Sequence, residues 1–393
     1  LSSGTLGDRA HRWIEESLVR LGRFSTRRAW WVIAFFLGLL VPSFYGMSLF
    51  TVDDDLVARF PDDHAVQIDS KYFDEHFSGT ESLDIFIDAS EKDGLLDPQL
   101  FHKLEALEKT LEADPDVREV TSIVDLVRKM HRLLANDGTT LPTTRQGLAQ
   151  TLLLFEMSGG EHLSRMIDFD RKSMRLNVRY GYLPMRAGYL LGERIQVMSR
   201  KIMGDDVKLE VNGFSFLLGD WYDKLIRGQQ KSLMVSAGII ATIMTIGLGS
   251  LSAGLWSMIP NLLPLFVLAG FMGITRATID GDSFIPLIIA LGIAMDDTIH
   301  FLSRYRLEAK TAQSVEDALA NTFRFAGRAI VITTIILALG FLPMVGSDYS
   351  VIAYWGTDVG FALVVALLAD VMLIPAMIKV GWIRFPMPNL KAS

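Results

Sequence analysis

Six apolar runs, each about 20 residues long, constrain this chain more than any other feature. They cover residues 29–50, 232–251, 256–275, 283–303, 329–346 and 353–378. At about 1.5 Å per helical residue, each can cross a hydrocarbon core about 30 Å thick. A segment in lipid must satisfy its own backbone polar groups, and a helix does so internally. Charge is segregated from these runs: residues 51–230 hold 32 acidic and 22 basic side chains of a chain with net charge −7. The pattern predicts an α-helical polytopic membrane protein with six transmembrane helices. One α+β domain of the ferredoxin-like kind is expected between the first and second spans.

There are no cysteines, so no disulfide supports the polar domain and none reports its compartment. Leu stands first, which leaves open a processed product or a fragment. The first apolar run is too long for a cleavable signal and lacks a small-residue cleavage site.

Orientation follows from the lysine and arginine bias of the short segments. Residues 1–28 contain Arg9, Arg12, Arg20, Arg23, Arg27 and Arg28. The segment after the fourth span contains Arg304, Arg306, Lys310, Arg324 and Arg328, and the tail adds Lys379, Arg384 and Lys391. The short loops 276–282 and 347–352 offer only Arg276. Both termini are therefore expected in the cytoplasm of a bacterial or archaeal cell, bounded by its inner membrane, with residues 51–230 outside. The expected domains are a linker helix (1–28), a first span (29–50), the outer domain (51–230), a five-helix bundle (231–380) and a tail (381–393).

Ahead of the first span, Leu6, Ala10, Trp13, Ile14, Leu18, Leu21 and Phe24 share one helical face. Such a helix either lies in the membrane interface or docks on protein. In the outer domain, "SLDIFIDA" (82–89) and "VREVTSI" (117–123) flank a helix-periodic stretch over 97–113. "SMRLNVRY" (173–180) and "VKLEVNG" (207–213) flank another over 187–203, repeating strand, helix, strand. Residues 124–170 are expected as a helical insertion, and 214–231 as a helix returning to the membrane. His64, His76, His102, His131 and His162 are dispersed, and no nucleotide loop, metal-spaced cluster or nucleophile motif is visible. An enzyme, a bound cofactor and a nucleic-acid partner are not expected.

The chemistry concentrates in "GIAMDDTIHFLSRYR" (292–306). Asp296 and Asp297 fall about 20 Å into the fourth span at 1.5 Å per residue. A lipid-facing carboxylate there costs at least about 2.5–3.5 kcal/mol. His300 follows one turn on and can approach either acid. Thr333, Thr334 and Asp370 lie at matching depth on the fifth and sixth spans. Together they suit a proton relay; the alternative is a static polar cluster that fixes helix packing, and for Asp370 a pairing with an arginine. Asp358, near the outer end of its span, reads as a solvated boundary residue. Pro260, Asn261 and Pro264 permit a kink in the third span, and Gly270, Gly273, Gly292 and Gly340 permit close helix approach or bending.

The stretches "PNLLP" (260–264), "GIAMDDTIHFLSRYR" and "LLADVMLIPAMI" (367–378) resemble the resistance–nodulation–division (RND) superfamily. The resemblance is strongest to its hydrophobe and lipid exporters, related to the MmpL, hopanoid-transporter and Patched groups. It implies a proton-driven exporter of a hydrophobic or lipid-like substrate, with Asp296 and Asp297 as relay residues. It also implies a C-terminal half or a half-size member, completed by a second half in the same chain, another polypeptide or a second copy. Membrane lipids and periplasmic or outer-membrane accessory proteins are the further partners implied. Sodium in place of protons stays open as coupling ion. So do two other roles: a lipid-binding or structural membrane subunit without turnover, and a protein-translocation helper resembling the SecD/SecF type.

Overall fold

The computed structural model describes residues 6–135, 141–157, 163–276 and 278–386, and their side chains over 13–133 and from 141 onward. The expected helix start before residue 6, part of the insertion (136–140 and 158–162, with His162) and the tail beyond 386 (with Lys391) lie outside the described residues. The chain divides into two compact units, Asp54–Lys224 and the remainder.

The remainder opens with α1 (Leu6–Arg27) and α2 (Ala29–Leu49). On α1, Leu18, Gly22, Ser25 and Thr26 are buried, and a side chain at Gly22 would strike the Phe323 ring. This stripe docks on protein. Trp13, Leu21 and Phe24 point outward, so one helix combines a docking stripe with an exposed apolar edge. β1 (Thr51–Val52) follows and pairs in parallel with a later strand.

The polar unit contains α3 (Ala65–His76), β2 (Glu81–Asp88), α4 (Pro98–Glu112), β3 (Val117–Thr121), α5 (Ile123–Ala135), α6 (Arg145–Met157), β4 (Ser173–Tyr180), α7 (Met185–Met203) and β5 (Lys208–Gly213). The sheet runs β3-β4-β2-β5 with every neighbour antiparallel. Alternation puts Leu83, Ile85 and Ile87 of β2, and Met174, Leu176, Val178 and Tyr180 of β4, on one buried face. Leu100, Leu104, Leu107 and Leu111 of α4 recur at helical spacing and join the same core with Leu191, Ile195 and Met203 of α7. Each β-α-β segment thus lays its helix on the sheet. α5 and α6 occupy the expected insertion and add Val124, Val127, Leu148 and Leu152 to that core.

Glu108 of α4 is almost wholly buried in this unit. It accepts a hydrogen bond from Ser122 Oγ at 2.9 Å, and Arg128 Nη2 lies 3.2 Å from its other oxygen. Burial, reinforced by hydrogen bonding to Asp125, pushes its carboxyl up to about 7.

α8 (Phe214–Leu248) runs 35 residues without a break. The returning helix and the second span expected from the sequence are therefore one element. Gly249, at φ +60°, ends it, and Ser250 caps α9 (Leu251–Trp256). Then come α10 (Met258–Thr275), β6 (Thr278–Ile279), α11 (Phe284–Glu308), α12 (Val315–Thr322), α13 (Arg328–Phe341), α14 (Ser350–Leu368) and α15 (Ile374–Lys379). Residues 323–327 and 369–373 are π-helical turns. Six helical segments among the described residues are long and apolar enough to cross a membrane, matching the six runs of the sequence. α2 crosses α10 backbone to backbone: side chains at Gly46, Gly270 or Gly273 would run into main-chain atoms of the facing helix. α14 packs against α10, α11 and α13.

Candidate functional site

α11 sorts its residues by face. Leu287, Ala290, Leu291, Ala294, Thr298, Phe301, Leu302 and Tyr305 recur every three or four positions and are buried. Gly292, Asp296 and His300, spaced by four, line the opposite face and are exposed. His300 Nε2 lies 3.4 Å from Asp296 Oδ1, with both side chains about 70% exposed (72% and 70%). A side chain at Gly292 would meet nothing within 4 Å. Asp297 is half-buried between the two faces and interacts electrostatically with Asp296, His300 and, across the helix interface, Asp370.

The buried polar centre lies on the inner face, and the sequence pattern points to only part of it. Thr298 is fully buried, with its Oγ1 2.6 Å from Asp370 Oδ1 and 3.0 Å from Asn261 Oδ1. Asp370 sits in the π-helical turn 369–373, which re-aims the chain between α14 and α15. Asn261 enters from α10, and its Nδ2 donates to the Ser257 carbonyl at 2.9 Å. That bond fixes the amide orientation, because the reversed amide would set two oxygens against each other. Asn261 was expected only as part of a kink. It belongs to the site, Pro264 lies inside α10, and the helical path breaks at Ser257, three residues before Pro260.

The three oxygens set a hydrogen count. A threonine hydroxyl has one hydrogen to donate, yet Thr298 has two oxygen neighbours at bonding distance. Both contacts are satisfied together when Asp370 carries a proton, donating to Thr298, which donates to Asn261. With a bare carboxylate, Thr298 turns to Asp370 and Asn261 Oδ1 loses its donor. Among the described residues, Asp370 Oδ2 has no hydrogen-bond partner, and no arginine pairs with the acid.

Thr333 and Thr334 are not drawn into this group. Thr333 is exposed, with its hydroxyl at bonding distance of the carbonyls of Ala329 and Ile330; Thr334 is buried and donates to Ile330. Asp358 departs from its expectation as a solvated boundary residue. It is fully buried, and Arg276 Nη2 from the end of α10 lies 2.6 Å from its Oδ1, with the guanidinium 3.7 Å from the centre of the Tyr354 ring. A charge buried this deeply needs such a partner. The sequence showed both residues as end-of-span charges, which gave no sign that they meet.

A second feature is apolar. A cavity of about 350 Å³ opens among α2, α8, α10 and α11, walled by Met47, Leu233, Phe266, Met272, Phe284 and Leu287.

Comparison with known proteins gives a consistent answer. A membrane protein of Methanocaldococcus jannaschii, MJ1562, is 21% identical over 96% of this chain and 97% of its own length. ActII-3, a membrane protein of Streptomyces coelicolor, is 23% identical over 58% of this chain and 33% of its own length. The trehalose monomycolate exporter MmpL3 of Mycolicibacterium smegmatis is 23% identical over 37% of this chain and 14% of its own length. The chain thus spans about a third of ActII-3 and about a seventh of MmpL3. The model of the MMPL family matches residues 58–383, nearly the whole of the polar unit and the helices from α8 to α15, and the chain belongs to that family of RND-type membrane proteins.

Proposed function

We propose that this protein is a proton-motive-force-driven exporter of a hydrophobic or lipid-like substrate. The observation that carries this reading is an acid fully buried at the meeting of three apolar helices, Asp370, coupled to the half-buried Asp297. Buried ionisable groups inside membrane bundles are costly and mark ion pathways more often than packing contacts. In this reading Asp296, Asp297 and His300 receive or release the proton and Asp370 holds it, with Thr333 and Thr334 lining the neighbouring helix. A single charge moved through 100 mV supplies about 2.3 kcal/mol, enough to bias two helix packings.

The substrate class rests on family membership, on the exporter activity named for MmpL3, and on the apolar cavity among α2, α8, α10 and α11. Such a cavity suits an acyl chain better than a polar solute. The strand order and antiparallel pairing of the polar unit support a ferredoxin-like fold, and the lysine and arginine bias is the support for reading that unit as outside the inner membrane with both termini inside. No cofactor or covalent chemistry on the substrate is part of this reading. A second six-helix unit covers the Asp296–His300 face, and accessory proteins outside the membrane complete the route.

The test is proton flux in vesicles containing the purified protein and a pH-sensitive dye. An imposed proton gradient should drive flux in the wild type. Asp296→Asn, Asp297→Asn and Asp370→Asn should each insert normally and lose at least tenfold. Undiminished flux in the triple variant would sink the relay. Dependence on a sodium gradient instead would reassign the coupling ion. No ion flux at all would favour a lipid-binding subunit.

A further inference from the structure

We infer that Thr298 is a proton-dependent hydrogen-bond switch that couples the state of Asp370 to the seating of α10 on α11. The inference rests on the relay reading and adds to it the step by which proton occupancy becomes helix movement. With Asp370 carrying a proton, the donor chain runs Asp370 to Thr298 to Asn261 and ties the π-helical turn, α11 and α10 into one line. When the proton leaves, the Thr298 hydrogen rotates to Asp370, the better acceptor because it is now charged. Asn261 Oδ1 is then buried against another oxygen 3.0 Å away with no donor. An unmet buried acceptor is costly, and moving α10 away from α11 relieves it. One proton at one atom thus selects between two packings.

The surroundings leave this line as the main responder. Of the elements packed on the π-helical turn, α11 contributes Asp297, the charged group that acts on Asp370. α14 carries Asp358, which is paired with Arg276, and Tyr354, over whose ring that guanidinium lies. α10 contributes Asn261 and no ionisable side chain. α2 contains one ionisable group, Tyr45, which is exposed, and the arginines Arg23 and Arg27 of α1 are exposed. α15 contributes Lys379, which is held by Glu316 at 2.6 Å. Thr298 and Asn261 are positioning residues: they carry no charge through the membrane and act through Asp370.

The chain has no cysteine, so an introduced pair is the sole site of labelling. Phe266→Cys on α10 and Leu368→Cys at the end of α14 are exposed positions for spin labels. Distances between them in the full-length protein, held in lipid nanodiscs, should shift between low and high pH. Asp370→Asn should lock the low-pH distance. Thr298→Val and Asn261→Leu should abolish the shift, and Thr298→Ser, which restores the hydroxyl, should return it. A shift that persists unchanged in Thr298→Val and Asn261→Leu overturns the switch. If Asp370→Asn abolishes proton flux while that shift persists, the relay stands and only the switch fails. If Asp370→Asn keeps full flux, the relay assignment of Asp370 fails first.

Discussion

Glu108 shows how one side chain can set the pH response of the polar unit. Its carboxyl sits near 4.5 in the unfolded chain and is pushed up to about 7 in the folded one by burial and by Asp125. Between those values the folded state holds a proton that the unfolded state has shed. Stability therefore falls as pH rises from about 4.5 to about 7, and this group adds no slope outside that window. At about 1.36 kcal/mol per pH unit, the loss is at most about 3.4 kcal/mol. Glu108→Gln should flatten that slope in thermal unfolding of the full chain across the same range. An unchanged slope would assign the pH dependence elsewhere.

Among elements, α10 connects the most functions. It packs its glycines on α2, sends Asn261 to Thr298, the partner of the buried acid, and carries Arg276 at its end to Asp358 on α14. The Arg276–Asp358 pair fixes where α10 ends against α14, and removing one partner leaves the other charge buried and alone. Arg276→Ala should therefore cost about 3–5 kcal/mol, whereas Arg276→Met combined with Asp358→Leu should cost far less, because two apolar groups need no compensation. Thermal unfolding in detergent separates the two. Equal losses in the single and double variants would mean that the charges matter for something other than mutual compensation. The same reasoning explains why Asp358 was misread as solvated. Its partner is 82 residues away, and hydropathy along one helix carries no information about a charge arriving from another.

At the scale of the whole molecule, the bare face of α11 demands a cover. Asp296 and His300 are about 70% exposed on a helix otherwise built for lipid, and each lipid-facing charge costs at least about 2.5–3.5 kcal/mol. A second copy turned about a two-fold axis would bring its own acids and histidine to this face, the self-complementary arrangement of symmetric pairs. The purified complex should have the mass of two chains, and Gly292→Cys, opening onto free space on that face, should cross-link copy to copy under mild oxidation. A monomeric mass with no cross-link would point to an unlike partner.

The sequence by itself determined the elements: six spans, the strand-helix-strand repeats and the alternating faces of β2 and β4. These are periodic properties, and period is written along the chain at 3.6 or 2 residues. It also drew attention to "DDTIH", the stretch that holds the site. Only the tertiary structure decided which of those five residues is buried, that Asn261 reaches Thr298 across 37 residues and that Asp370 reaches it across 72. The physical reason is that burial and hydrogen-bond partnership are properties of helix pairs. Thr298, between two aspartates and a histidine, raised no expectation from the sequence, and packing made it the hydrogen-bond partner of the buried acid.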